Sequence, residues 1–250
     1  MADETRLYNG IEALRNVANL AVLIETLTHR AQGLPGMGTF YGFSGYGKTM
    51  AAIWCSNKYN AVLVEVRATW KAKFFLGAIC VELGIPVKGS AADMEDRIIS
   101  ALIVQNRPLI IDEADHLVKN AIVEIVRNIH DATQLPVVLL GEELLPQKLR
   151  EWERVASRMR WVQALEVDSQ DVERLKKVYA PSIEIAADVL DHIRQLSGGS
   201  ARRVSQMLAE LSEQSAVKGW SRIDLTNFKP SNLTNSAVPV PRRPRGVGAL

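Results

Sequence analysis

The sequence predicts an α/β protein in which helices flank a parallel five-stranded sheet and a small all-helical unit follows. Up to Asp168, short apolar runs alternate with helical patterns of about ten to fifteen residues, which implies right-handed crossovers and a sheet covered on both faces. After Asp168 the apolar spacing is helical only. Five apolar runs are typical of strands: Thr39–Tyr41, Ala61–Val66, Leu109–Ile111, Val137–Leu140 and the region 160–165.

Amphipathic helices are predicted where apolar residues recur every three or four positions. The first runs from Ile11 to Leu27 and ends before a turn rich in glycine and proline at 33–38. The helices after Asp168 lie around 169–179, 183–196 and 200–217. From Pro230 the composition turns to Ser, Asn, Pro, Arg and Gly, which buries too little apolar area to fold, so we expect a disordered tail there.

Composition places the chain among ordinary globular proteins, with 47% hydrophobic and 23% charged residues. Cys55 and Cys80 stand in apolar helical contexts without metal-ligand spacing, which predicts reduced core thiols in a cytoplasmic protein. The first residues are acidic where a signal peptide is basic, and no apolar run approaches the ~18 residues of a membrane span. We therefore expect neither secretion nor membrane insertion.

A phosphate-binding loop is predicted from Gly42 to Thr49, because Gly-Phe-Ser-Gly-Tyr-Gly-Lys-Thr matches G-x-x-x-x-G-K-[ST] in full between a strand and a helix. The glycines let backbone N–H groups point at phosphate oxygens, Lys48 supplies a positive charge, and the Thr49 hydroxyl ligates Mg²⁺. The predicted ligand is ATP with Mg²⁺. The predicted contact residues are Gly42, Ser44, Gly45, Tyr46, Gly47, Lys48, Thr49 and Met50, joined by Asp112 and Arg202.

The second half of the predicted site is an apolar strand that ends in Asp112 and Glu113. Asp112 is the expected carboxylate for the Mg²⁺ hydration shell, so that Thr49 and Asp112 form the metal site, and Glu113 is expected to orient and polarise the attacking water. An Asp-Glu pair after a strand is also a common helix start. Its position on a strand that follows the phosphate loop favours the catalytic interpretation.

The order of these features resembles that of the AAA+ ATPases: a phosphate loop, an Asp-Glu strand, a strand ending in a polar residue, an arginine, and a helical part with Gly-x-x-Arg. The resemblance covers residues 10–228 and implies the strand order 5-1-4-3-2, a helical lid and ATP hydrolysis. The implied domains are an N-terminal helix at 1–34, a nucleotide-binding α/β domain at 35–167, a lid at 168–229 and a basic tail at 230–250.

The resemblance also implies roles for arginines. Arg158, in Val-Ala-Ser-Arg-Met, is the first choice for a finger donated to the γ-phosphate of a neighbouring subunit, and Arg154 is the second choice. Such a finger requires a homo-oligomer. In the lid, Gly-Ser-Ala-Arg places Arg202 as the sensor of the γ-phosphate, with Arg203 as the alternative.

Glu142 follows the fourth predicted strand, where members of this family usually carry Asn, Ser or Thr. A carboxylate beside a phosphate is unfavourable unless a metal or an arginine compensates for it. Glu142 is therefore either an unusual sensor residue or a glutamate at a helix N-terminus that interacts with the helix dipole. Sequence alone leaves both interpretations open, and the first predicts slow hydrolysis until a partner intervenes.

Within the family, Leu-Leu-Gly-Glu-Glu-Leu and Gly-Gly-Ser-Ala-Arg-Arg-Val most resemble the transposition helpers, namely the B protein of Mu-like phages and the TniB and TnsC proteins of Tn7-like elements. This resemblance implies a helical filament or ring on duplex DNA, formed with ATP, which delivers target DNA to a DDE transposase. The Mu protein carries an N-terminal DNA-binding domain, whereas about forty residues precede the phosphate loop here.

Sequence-independent DNA contact is expected from Arg67, Lys71 and Lys73, in a stretch without acidic residues after the second strand. A solvated helix start is the alternative. Lys119 is a weaker candidate for the same surface, and the basic stretch 239–245 either adds phosphate contacts or binds the transposase. Two other functions remain open: a nucleotide-gated adaptor without a DNA role, and a loader of a replicative helicase.

Overall fold

The computed structural model describes residues 14–233 of the 250-residue chain. Its main sheet has five parallel strands in the order β2-β3-β4-β1-β5, which confirms the predicted fold and strand order. The strands are β1 (Met37–Tyr41), β2 (Val62–Glu65), β3 (Leu109–Asp112), β4 (Val137–Gly141) and β5 (Met159–Gln163).

Helices follow or precede each strand. Around the main sheet they are α1 (Arg15–Thr28), α2 (Lys48–Tyr59), α3 (Ala72–Glu82), α4 (Ala91–Gln105), α5 (Asp115–Lys119), α6 (Val123–Thr133), α7 (Leu145–Arg150) and α8 (Glu153–Ala156). The C-terminal part contains α9 (Ser169–Tyr179), α10 (Ala187–Ser197) and α11 (Ala201–Lys218). Within the described residues, no helix combines the length and apolar character needed to cross a bilayer.

The central strands are apolar throughout because both faces of the sheet are covered. Along β4, Val138 and Leu140 face a cluster with α1 and α2, whereas Val137 and Leu139 face the larger cluster formed with α3 to α8. Both cysteines are buried free thiols, one in each of these clusters, and burial raises the pKa of Cys55 to about 12.

The C-terminal helices enclose a third hydrophobic cluster. The structure adds one feature to the predicted all-helical unit, a pair of two-residue parallel strands, β6 (Glu184–Ile185) and β7 (Arg222–Ile223). This pairing buries Ile185 and Ile223 against the helices, so the helix predicted over 183–196 begins only at Ala187.

The start of the predicted tail is partly described. Residues Pro230–Asn232 form a 3₁₀ turn, and Leu233 is buried in the C-terminal cluster. The predictions for 239–245, and for the helix start before Leu14, fall outside the described residues.

Candidate nucleotide-binding site

The predicted phosphate loop lies between β1 and α2, at the carboxyl edge of the parallel sheet. Gly45 and Gly47 have φ angles of +85° and +84°, a left-handed conformation that favours glycine. A Cβ atom on Gly45 would also lie 2.3 Å from the Ser200 hydroxyl oxygen. The glycines of the motif are thus required by the turn and by the approach of the C-terminal helices.

Lys48 begins α2 and folds back over the loop. Its Nζ donates hydrogen bonds to the carbonyl oxygens of Gly42 at 2.7 Å and Phe43 at 2.9 Å. Burial lowers the pKa of Lys48, while the carboxylates of Asp112 and Glu113 act in the opposite direction. The ammonium group is therefore held at the mouth of the loop, next to the carboxylates of β3.

Thr49 and Asp112 meet as the metal-site prediction requires. The Thr49 hydroxyl donates to Asp112 Oδ2 at 2.7 Å, and Asp112 is buried at the end of β3. Both groups offer oxygen, the donor type that Mg²⁺ prefers. The described residues contain no set of three or more His, Cys, Asp or Glu able to hold a metal.

Glu113 is held in an unusual backbone conformation beside Asp112. Its φ angle is +54°, and its N–H donates to Asp112 Oδ1 at 2.8 Å. Burial raises the pKa of Glu113, and the charge of Asp112 raises it further. A left-handed non-glycine residue carries strain, and strain of this kind concentrates at functional sites.

Glu142 leaves β4 next to the phosphate loop. Gly42 donates its N–H to the Gly141 carbonyl at 3.3 Å, and the Glu142 N–H donates to Asp115 Oδ2 at 2.7 Å. Lys148 holds the other Asp115 oxygen at 2.6 Å. Asp115, which sequence reasoning missed, therefore fixes the backbone that presents Glu142.

The C-terminal helices reach the loop through the start of α11. Ser200 caps this helix by accepting the Arg203 N–H at 3.3 Å, and the Arg202 N–H donates to the Gly45 carbonyl at 3.0 Å. The Arg202 side chain is exposed to the cavity over the loop. Arg203 instead donates to the Ser197 carbonyl at 3.2 Å, so the geometry favours Arg202 over its alternative.

A cavity of about 630 Å³ extends from the phosphate loop to the C-terminal helices, a volume typical of ligand pockets. Of the predicted nucleotide contacts, Gly42 and Tyr46 do not line it. The Gly42 carbonyl accepts a hydrogen bond from Lys48 instead. The Tyr46 ring is buried, and its hydroxyl donates to Glu166 at 3.3 Å. The lining residues are Leu14, Ser44, Gly45, Gly47, Lys48, Thr49, Met50, Glu65, Asp112, Glu113, Gly141, Glu142, Leu175, Tyr179, Ala201, Arg202, Ser205, Gln206 and Ala209.

Asn16 supports the loop from behind and was also missed. Its side-chain amide donates to the carbonyls of Tyr46 and Leu165, each at 2.8 Å, and its Oδ1 accepts the Leu165 N–H at 2.9 Å. The adjacent Arg15 N–H donates to Asp171 at 3.0 Å. One turn of α1 thus ties the phosphate loop to the C-terminal helices. The available sequence signal was a polar residue beside the apolar stripe of the first helix.

We expect Asn16→Ala to lower the free energy of unfolding by about 2–4 kcal/mol, because it leaves the buried Tyr46 carbonyl and the partly buried Leu165 backbone groups without their side-chain partner. ATP affinity is expected to fall as well, since the loop loses its support. Thermal unfolding with and without ATP measures both effects. Asn57→Ala, on the exposed face of α2, is the control; equal melting temperatures for the two variants would contradict the assigned support.

Arg158 is not part of this cavity. It lies at the amino end of β5, where Met37 donates to its carbonyl at 3.1 Å, and its Nε pairs with Asp131 at 2.6 Å. Its Nη1 donates to the carbonyl of Arg154, the second choice, at 2.6 Å. The five-residue strand β1 separates this edge from the phosphate loop by about 13 Å, so Arg158 does not serve its own site.

The basic residues predicted to contact DNA lie after β2, at the same sheet edge as the cavity. Arg67, Lys71 and Lys73 are all exposed, as is Lys119. Asn120 fixes the turn by donating to the carbonyls of Ala68 at 3.2 Å and Trp70 at 2.9 Å. The half-buried Trp70 ring packs on the core, with the Arg67 guanidinium 5.8 Å from its centre.

Comparison with known proteins supports the fold. A family model described as an AAA domain matches residues 31–149. Two similar solved structures are the Orc1 protein of Aeropyrum pernix in complex with DNA, at 17% identity and a TM-score of 0.60, and Cdc6p from Pyrobaculum aerophilum, at 16% and 0.62. Both alignments cover 88% of this chain. They cover 63% of the Orc1 chain and 65% of the Cdc6p chain, so this chain spans less than two thirds of either protein.

A third similar structure is more distant. It is a signal transduction ATPase with numerous domains and a tetratricopeptide repeat sensor from Pyrococcus horikoshii, at 16% identity and a TM-score of 0.50, covering 70% of this chain and 28% of that one. Comparison with curated protein sequences gives no significant match. At these identities the likeness concerns the fold, which is that of AAA+ P-loop ATPases.

Proposed function

We propose that this chain, which contains an AAA domain at residues 31–149, is an ATPase that binds duplex DNA independently of sequence and assembles on it as a filament or ring. We further propose that the assembly delivers target DNA to a DDE transposase. The observation that carries the proposal is that the predicted site residues lie at two opposite edges of the sheet. Lys48, Thr49, Asp112 and Glu113 meet at one sheet edge, whereas Arg158 lies at the other.

In the proposed reaction, water attacks the γ-phosphorus of ATP, and the bond from that phosphorus to the β,γ-bridging oxygen breaks. Glu113 accepts a proton from the water. Lys48 moves from the loop carbonyls to the β- and γ-phosphates, and Thr49 and Asp112 hold the metal. Mg²⁺, when bound, offsets the charge of the phosphates. ADP and phosphate are the products.

Assembly follows from the position of Arg158. A guanidinium at the far edge reaches a γ-phosphate only when a second copy places its own nucleotide there. Release of the Asp131 ion pair costs little, because half-exposed pairs contribute about 0–1 kcal/mol. ATP then joins neighbouring copies, and hydrolysis separates them.

DNA binding is assigned to the exposed basic turn after β2. Its cations neutralise phosphates without reading base edges, which gives binding that is tolerant of sequence and sensitive to salt. One of the similar solved proteins is in complex with DNA, and duplex DNA is accordingly the first polyanion to test.

We expect the triple variant Arg67→Ala, Lys71→Ala, Lys73→Ala to weaken duplex binding about tenfold or more at moderate salt. The plot of log affinity against log salt is expected to flatten by about 2–3, since each lost phosphate contact removes about 0.9 from the slope. Fluorescence anisotropy of a labelled random-sequence duplex, with a non-hydrolysable ATP analogue, measures both quantities.

The matched control is Lys88→Ala, Lys177→Ala, Arg222→Ala, which removes the same charges from exposed positions elsewhere. If the first variant binds normally and the wild-type protein shows no salt-sensitive binding, the nucleotide-gated adaptor is the better assignment. The transposase role is tested separately. A DDE transposase encoded beside this chain is expected to stimulate its ATP hydrolysis, and stimulation by a replicative helicase instead would favour a helicase loader.

A further inference from the structure

Glu142 occupies a fixed position among the groups that surround the γ-phosphate in the proposed site. Gly141 pairs with Tyr41 at the end of β1, so the next residue emerges beside the start of the phosphate loop. On its other side, Ala114, just after Glu113, donates its N–H to the Leu140 carbonyl at 2.8 Å. The Glu142 backbone is therefore flanked by the start of the loop and by the strand end that carries the proposed base.

The backbone at this point has little freedom. Asp115, itself held by Lys148, accepts the Glu142 N–H, and a Cβ atom on Gly141 would lie 2.3 Å from Asp115 Oδ2. The side chain of Glu142 is exposed into the cavity. In the part of the chain that the structure describes, its carboxylate forms no hydrogen bond or ion pair. The cationic partner nearest in sequence, Lys148, is already engaged by Asp115.

The interpretation as a helix N-terminal glutamate is not favoured by the geometry. The next helix, α7, begins at Leu145, and its first turn contains no acidic residue. The dipole effect falls off within the first turn, and α7 has only six residues. Glu142 instead shares the cavity with three other carboxylates, those of Glu65, Asp112 and Glu113.

We propose that Glu142 is an inhibitory charge: its carboxylate opposes the γ-phosphate of ATP, so that ATP binds less tightly relative to ADP, and it opposes the anionic transition state more strongly still, so that hydrolysis stays slow. Arg158 of a second copy relieves the inhibition, because its guanidinium neutralises Glu142 and the γ-phosphate together. This inference rests on the proposed nucleotide site and assembly, but not on DNA or a transposase. Like charges at a protein surface repel more strongly than in bulk solvent, because the neighbouring protein screens them less than water does.

Nucleotide binding tests the inference without turnover. Glu142→Gln keeps the shape of the side chain and removes its charge. We expect the dissociation constant of a non-hydrolysable ATP analogue to fall at least threefold in this variant, with that of ADP unchanged. Glu151→Gln, an exposed glutamate outside the cavity, is the control and is expected to change neither. An equal effect on both nucleotides, or none, would overturn the inference.

Hydrolysis gives a second, independent readout. At protein concentrations too low for assembly, kcat of Glu142→Gln is expected to exceed that of wild type at least fivefold, whereas KM falls or stays the same. The increase should persist in an Arg158→Ala background, since the charge is already removed. A kcat at or below the wild-type value overturns the inference. If Glu142→Gln hydrolyses ATP faster and the protein does not bind DNA, the inference about Glu142 is supported and the proposed DNA role is contradicted.

Discussion

Replacing Lys48 with alanine is expected to abolish measurable ATP binding, and with it ATP-dependent assembly on DNA. The Nζ atom makes two hydrogen bonds to loop carbonyls and is poised to exchange them for the β- and γ-phosphates. Each hydrogen bond to a charged group contributes about 1.5–3 kcal/mol, so the loss of two corresponds to a decrease in affinity of about 100-fold or more. Titration with a fluorescent ATP analogue measures the affinity, and negative-stain imaging measures assembly.

The control for this prediction is Lys58→Ala, which removes an exposed lysine from the same helix. Both variants should unfold near the wild-type temperature without nucleotide, because the carbonyls that Lys48 leaves at the mouth of the loop can accept hydrogen bonds from water. Only Lys48→Ala should lose the rise in melting temperature that ATP produces. An unchanged rise in that variant would show that the nucleotide binds elsewhere.

Local patterns were sufficient to predict the strands and the phosphate loop. The apolar runs at 109–111 and 137–140 lie within strands that extend by one residue in the structure. The loop is a contiguous motif, so its backbone follows from residue types alone. The contact between Thr49 and Asp112, 63 positions apart, was predicted because the phosphate loop and the Asp-Glu strand together form a known two-part pattern. The strand order, in contrast, came from the resemblance to AAA+ ATPases, since a short apolar run does not show which strands lie beside it in the sheet.

Contacts between distant parts of the chain could not be predicted where no motif links the residues. Asn16 is separated from Leu165 by 149 positions, and nothing local marks it as the partner of the phosphate loop. From sequence, Asp115 is interpreted only as a helix residue. Its contact with the Glu142 N–H, 27 positions later in the chain, is formed by the fold. The two-residue strand at Glu184–Ile185 is too short to show a period of two, and its partner lies beyond two helices.

Glu113→Gln is expected to separate ATP binding from ATP hydrolysis. The amide keeps the size of the side chain but does not accept a proton as the carboxylate does, and positioned bases contribute about 10²–10⁴-fold to rate. We therefore expect kcat to fall at least 100-fold. ATP affinity is expected to hold or rise, since one of the crowded carboxylates is neutralised while Lys48, Thr49 and Asp112 are unchanged. Assemblies on DNA formed with ATP should persist for correspondingly longer in light-scattering or imaging assays.

Asp112→Asn is the informative contrast, because it changes the adjacent carboxylate in the same way. Asp112 accepts both the Thr49 hydroxyl and the Glu113 N–H, so its loss disturbs the metal site and the strained backbone together. We expect that variant to lose ATP affinity as well as hydrolysis. If both variants bind ATP and hydrolyse it equally poorly, the two carboxylates act as one metal site and Glu113 is not the base. If Glu113→Gln hydrolyses ATP at the wild-type rate, another group activates the water. Apart from Asp112, the carboxylates that line the cavity are then Glu65 and Glu142, which stand at the ends of the two strands that flank β3.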